Sequence, residues 1–184
     1  MTEVERIIKQ GVLSESFFRE EIRNDFLVTG ERKKIWGIQL DLFFEFKRVC
    51  EKYNLKYFLF FGSLLGAVRH NGFIPWDDDI DLGMPREDYE KLLTHADAFN
   101  TPYFLQNHKT DKCFYYSHTK LRNSNTSCIN RAFKHQPFNQ GMDLDIHPID
   151  NWSLEGGLEK FEEIKQLNIQ SQIPLKFYLH KKKN

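Results

Sequence analysis

Cysteine is scarce in this sequence. There are three, Cys50, Cys113 and Cys128, and no CxxC pair. An odd count without that spacing argues against a disulfide framework and against a zinc ribbon. Reduced thiols in a cytoplasmic protein are the expectation. An excess of charge of one sign is also missing. Lys and Arg number 26 and Asp and Glu number 26, for a formal net charge of zero. That leaves none of the basic surplus with which proteins neutralise a phosphate backbone, so no nucleic-acid partner is expected. No apolar run approaches the ~20 residues of a membrane-spanning helix. The opening MTEVERIIKQ lacks the basic and apolar regions of a signal peptide. No internal repeat is visible. The end, Lys181-Lys182-Lys183-Asn184, reads as a short basic tail, with peripheral contact to an anionic inner membrane face as the alternative.

What is present is bulk and aromaticity. Apolar residues make up 40% of 184, and 17 residues are Phe. That is enough to bury one core of the usual size of about 100–200 residues. Residues 1–30 show no clear period and are expected to form an arm or short helices. Residues 31–184 are expected to form the main domain. Ile35, Ile38, Leu42, Phe46, Val49 and Tyr53 recur every three or four positions, which predicts a long amphipathic helix from Glu31 to Tyr53. Lys56–Phe61 reads as a strand. Ser63 reads as the cap of a short helix over Leu64–Arg69, closed by His70-Asn71-Gly72. Asp79–Leu82 alternates and predicts a second strand, followed by a helix from Pro85 to about Ala98. Tyr103–Gln106, Phe114–Arg122 and Met142–Ile146 are strand-like, and Gly156-Gly157 precedes a last helix. This mixture predicts an α+β fold with a mixed sheet flanked by helices.

The chemistry concentrates at Asp77, Asp78, Asp79 and Asp81. If Asp79 and Asp81 share a strand, their side chains point the same way about 6–7 Å apart and can converge on a hard cation such as Mg²⁺ or Mn²⁺. A solvated acidic loop is the bland alternative. It is disfavoured because like charges at 4 Å repel by about 1 kcal/mol even in water, and because Phe73-Ile74-Pro75-Trp76 and Ile80 pack the segment. A calcium loop starting at Asp77 fails, since Leu82 and Asp88 stand where Gly and Glu are needed. Phosphoryl transfer on two metals needs a further carboxylate. In Gly141-Met142-Asp143-Leu144-Asp145-Ile146-His147-Pro148, a strand would put Asp143, Asp145 and His147 on one face, and Asp145 is the preferred third acid.

Gly62-Ser63, between a strand and a helix start, offers N–H groups and a hydroxyl to phosphate oxygens. Arg69 and His70 follow by one or two helical turns and could reach a diphosphate; as cations at a helix C-terminus they need no such role. Lys120 and Arg122 share a strand face and could stabilise a leaving group, or simply be solvated there. Trp76 reads as a buried loop anchor rather than a stacking platform. His108, His118 and His135 lack ligand spacing and read as ordinary, so no thiolate or paired histidine is expected to select zinc.

The run FGSLLGAVRHNGFIPWDDDIDLGMPREDYEKLL, Phe61 to Leu93, closely resembles the LicD family, which is similar to the catalytic domains of fukutin and the fukutin-related protein. GMDLDIHPIDNW, Gly141 to Trp152, resembles that family's second motif. The resemblance implies a nucleotidyltransferase-like fold. It implies transfer of a substituted phosphate, phosphocholine or a polyol phosphate, from a CDP-linked donor to a glycan acceptor, as in lipopolysaccharide or teichoic acid modification. By position, it makes Gly62 and Ser63 the phosphate turn, Asp79 and Asp81 metal ligands, and Asp145 the third acid. Asp77 and Asp78 fall among the substrate-binding residues. The chain departs from the family at His147, where an aromatic residue is usual. It also ends soon after the second motif, which leaves a compact version of the domain or one lacking part of it. A nucleotidyltransferase that leaves NMP on its acceptor, and a non-catalytic nucleotide-binding module, are the alternatives.

Overall fold

Alternation of apolar and polar residues builds the centre of the molecule. The computed structural model describes residues 1–151, of which Met1–Ile149 form one compact unit. Strands β4 (Asp81–Pro85), β6 (Thr119–Asn123) and β7 (Met142–Ile149) lie side by side, with β3 (Phe58–Leu59) and β5 (Tyr103–Gln106) outside them. The order is β3-β4-β7-β6-β5. Only the β4–β7 pair is parallel; the other three pairs are antiparallel. The sheet is therefore mixed and the fold α+β. Leu82, Met84, Leu121, Leu144 and Ile146 are fully buried. Because strand side chains alternate faces, Asp81, Lys120, Arg122, Asp143 and Asp145 are turned to the opposite face.

Helices cover the apolar face. Ile38, Leu42, Phe46 and Val49 of α2 (Gly30–Lys52), and Tyr89 and Leu92 of α4 (Arg86–Thr94), join the strand residues in one hydrophobic cluster. Each fully buried side chain of this kind contributes about 1.5–3 kcal/mol. Within the first thirty residues, where an arm or short helices are expected, a helix and a hairpin form. Helix α1 (Glu3–Lys9) starts with a capping box between Thr2 and Glu5, and its Ile7 is fully buried in the cluster. A hairpin follows, β1 (Glu21–Arg23) and β2 (Phe26–Val28), whose turn residues Asn24 and Asp25 have φ of 50° and 59°. Both central residues left-handed is what a tight two-residue hairpin turn requires. Strands of three residues carry too little alternation to be legible in sequence.

Most other expectations differ only at their ends. Helix α2 and β5 stand where the periodicity placed them. The strand expected from Asp79 starts at Asp81, so Asp79 does not share it. β6 starts at Thr119 rather than Phe114. Helix α3 (Phe61–His70) begins before Ser63, with Phe60 at its cap position, and ends on left-handed Asn71 at φ 53°. Ser63 is thus inside the first turn and is not the cap. The helix expected after Gly156-Gly157 and the basic tail lie outside the described residues. Among the described residues no helix is long and apolar enough to cross a membrane.

Candidate active site

The aspartate-rich loop is held through its backbone carbonyls rather than through cations on its carboxylates. The buried Trp36 of α2 donates from Nε1 to the Asp77 carbonyl at 2.7 Å, and Arg32 donates to the Trp76 and Asp77 carbonyls at 3.1 and 3.0 Å. Trp36 also stacks on Phe73, with ring centroids 4.8 Å apart and planes 8° from parallel. Trp36 is therefore the loop anchor. Trp76, expected in that role, is 57% exposed. A Cβ on Gly62 would stand 3.0 Å from Asp77 Oδ2, so the absence of a side chain there lets the loop approach the start of α3. Ligand oxygens of Asp77, Asp78 and Asp79 lie within 4.8 Å of one another. Among the described residues, no Lys or Arg forms an ion pair with any of the three. Burial, then the charges of Asp77, Asp81 and Asp78, push the Asp79 carboxyl up to about 6.

The polar face of the sheet continues the site. Register places Asp81 beside Asp145, and Asp145 beside Lys120. Lys120 Nζ donates to Asp143 Oδ2 and to Asp145 Oδ1, each at 2.5 Å. Arg122 donates to Asp143 Oδ1, Gln106 Oε1 and the Gly141 carbonyl, each at 2.6 Å. Burial would raise the Asp145 carboxyl, but the neighbouring His118 and Lys120 outweigh it and hold the group below the usual carboxylate range. Asp145 therefore stays anionic. Lys120 and Arg122 compensate the acids of this face and brace Asp143 and Asp145; Arg122 is almost wholly enclosed.

The remaining sequence candidates divide. Ser63 Oγ accepts the Asp81 N–H at 2.9 Å, tying α3 to the head of β4. Phe61, just before Gly62, has φ 40°, an uncommon conformation for a bulky residue that is typical of sites held under constraint. Arg69 is exposed at the C-terminal end of α3. His70 Nδ1 is 2.9 Å from Asn24 Oδ1. Asp79, Asp81 and Asp145 do not form a single group of close oxygens. Among the described residues two groups form instead, Asp77–Asp78–Asp79 and His118–Asp145–His147. Two histidines do meet at the site, against the expectation from spacing. His118 Nε2 is 3.3 Å from Asp145 Oδ2, and His147 Nε2 is 3.3 Å from Asp81 Oδ1. His118 immediately precedes β6, and only the antiparallel β6–β7 register brings it to His147. In sequence, the one available sign was that His147 alternates in phase with Asp143 and Asp145.

Asp78, Asp79, Lys120, Asp143 and Asp145 line a cleft of about 420 Å³, closed on one side by Ile35 and Gln39 of α2. Gln39 Nε2 donates to the Asp143 carbonyl at 2.7 Å, while its buried Oε1 has no partner. Residues 54–165, more than half of the chain, match the family described as LicD/FKTN/FKRP, nucleotidyltransferase domain. The chain belongs to the LicD family.

Relatives of this LicD-family chain match it over short stretches. The lipopolysaccharide cholinephosphotransferase LicD of Haemophilus influenzae is 52% identical over 48 residues, 26% of this chain and 18% of that protein. The ribitol 5-phosphate transferase FKRP of Homo sapiens is 55% identical over 40 residues, 22% of this chain and 8% of that protein. An uncharacterized protein of Rickettsia prowazekii is 60% identical over 37 residues, 20% of this chain and 14% of that one. The matches thus span less than a fifth of each relative's length.

Proposed function

We propose that this chain carries the catalytic site of a phosphotransferase that moves a substituted phosphate, choline phosphate or a polyol phosphate, from a CDP-linked donor to a glycan hydroxyl. The observation that carries the reading is the row Asp81, Asp145, Lys120 across adjacent strands, of which Asp145 and Lys120 line one cleft together with Asp78 and Asp79 of the aspartate loop. The names of the relatives, a cholinephosphotransferase and a ribitol 5-phosphate transferase, support the substrate class.

The donor set fits a divalent cation. Asp77, Asp78 and Asp79 are hard oxygen ligands crowded together without a cationic side chain, which suits Mg²⁺ or Mn²⁺. Asp79, with Asp77 and Asp78 around it, would hold that ion on the side of the cleft facing Asp81 and Asp145; bound there, it would neutralise the donor's diphosphate and stabilise charge developing on the leaving phosphate. Gly62 and the first turn of α3 would receive phosphate oxygens on backbone N–H groups. Ser63 keeps Asp81 in place through its hydrogen bond to that residue's N–H. The glycan hydroxyl oxygen would attack phosphorus in line. Its new O–P bond forms as the bond from phosphorus to the nucleotide phosphate oxygen breaks, and CMP leaves. The hydroxyl proton passes to a carboxylate of the cluster.

The test is product analysis. The protein is incubated with CDP-choline or a CDP-polyol, Mg²⁺ and a glycan acceptor. CMP and a phosphodiester-modified glycan are expected. Release of pyrophosphate with NMP left on the acceptor would replace this reading with nucleotidyl transfer.

A further inference from the structure

We propose that His118, His147 and Asp145 form a binding site for a transition-metal ion such as Zn²⁺ or Co²⁺, distinct in chemistry from the all-oxygen aspartate loop. The inference rests on the phosphotransferase reading only in that the two share Asp145.

Geometry carries the assignment. One ligand atom from each of the three residues lies within 4.8 Å of the other two. Ligands about 2.0–2.1 Å from a tetrahedral zinc ion stand about 3.4 Å from one another. His118 Nε2 and Asp145 Oδ2 are 3.3 Å apart, close to one edge of such a polyhedron. That nitrogen is buried and faces the carboxylate at ion-pair distance. Lys120 already holds Asp145 Oδ1, so Oδ2 is the oxygen left for an ion. The imidazole rings of His118 and His147 have centroids 4.5 Å apart, so both can face one ion.

The surroundings agree with a partly desolvated site. Phe61 stands edge-on to His147 at 5.2 Å, Phe60 is 5.9 Å from the same ring, and Tyr116 is 5.3 Å from His118. Two imidazoles and one carboxylate suit borderline divalent ions, and Mg²⁺ much less, because Mg²⁺ prefers oxygen and retains its water. Three protein ligands leave at least one position open for water or a substrate oxygen. The location, between Asp145 and the head of β4, is supported by the second contact of His147, 3.3 Å from Asp81 Oδ1.

The full chain, stripped with chelator, is titrated with Co²⁺ while its visible d–d absorption is recorded, and with Zn²⁺ by calorimetry. One ion per chain is expected at this site. His118→Gln and His147→Gln should each weaken binding by about tenfold or more, with melting temperatures of the metal-free proteins near wild type to show that both fold. Asp79→Asn should retain the Co²⁺ spectrum. No Co²⁺ spectrum in the wild-type protein overturns the inference, as does binding equal to wild type in both histidine variants. Turnover of a CDP-linked donor with Mg²⁺ in a protein that binds no Co²⁺ would sink this inference alone. Co²⁺ binding in a protein that turns over no such donor would sink the phosphotransferase reading alone.

Discussion

Burial raises the Asp79 carboxyl, and the like charges of Asp77, Asp81 and Asp78 around it raise it further. Such a group costs stability unless a cation or a proton relieves it. Asp79→Asn should therefore abolish turnover while leaving the metal-free protein at least as stable as wild type. Enzymatic assay together with a thermal melt in chelator checks this, and a melt several degrees lower would show the cluster to be structural. Lys120 behaves in the opposite way. It is 8% exposed and bonded to two carboxylates at once. Removing one partner of a buried ion pair leaves an uncompensated charge, typically at a cost of about 3–5 kcal/mol. Lys120→Met should destabilise by roughly that amount in urea unfolding; a loss below about 1 kcal/mol, the scale of exposed pairs, would mean the cluster is effectively solvated.

At the scale of elements, α2 links core to site. Its apolar face packs the sheet, while Trp36 and Arg32 grip the carbonyls of the aspartate loop. Trp36→Phe keeps an aromatic ring against Phe73 but removes the N–H donor to Asp77. The lost hydrogen bond should cost about 0.5–1.5 kcal/mol, and kcat/KM should fall by more than that loss of stability explains, because the loop is no longer positioned. The same helix carries an acid-sensitive contact. Burial would raise the Glu45 carboxyl, but hydrogen bonds from Arg48 and the Asn100 N–H outweigh it and hold the group below its ordinary value of 4.5. A carboxyl lowered by folding stabilises the protein above its unfolded pKa, and that contribution is lost as pH falls through the folded value. Glu45→Gln should therefore be less stable than wild type at neutral pH, with the gap closing in acid. A gap that stays constant below about pH 4 would contradict the assignment.

Across the whole molecule, the proposed activity requires an acidic cleft to accept a diphosphate that is itself negative. Without a cation the two repel, and desolvation makes this worse. Calorimetry with a CDP-linked donor should show binding with Mg²⁺ or Mn²⁺ and little in excess chelator. Tight binding in chelator would shift the diphosphate onto cations such as Lys120 or Arg69. Much of this architecture is legible in sequence because it depends on local period. The spacing of Ile38, Leu42, Phe46 and Val49 makes α2 a helix with one apolar face, and strict alternation from Met142 to Ile146 puts Asp143 and Asp145 opposite Leu144 and Ile146. The sequence by itself thus determined which residues are buried along these elements and that carboxylates crowd near Asp79. Only the tertiary structure decided how the acids are shared out. Parallel pairing of β4 with β7 sets Asp145 beside Asp81, and antiparallel pairing of β6 with β7 brings Lys120 and His118 to Asp145. Register between strands distant in sequence follows from how their apolar faces meet across the sheet, and no local spacing records it.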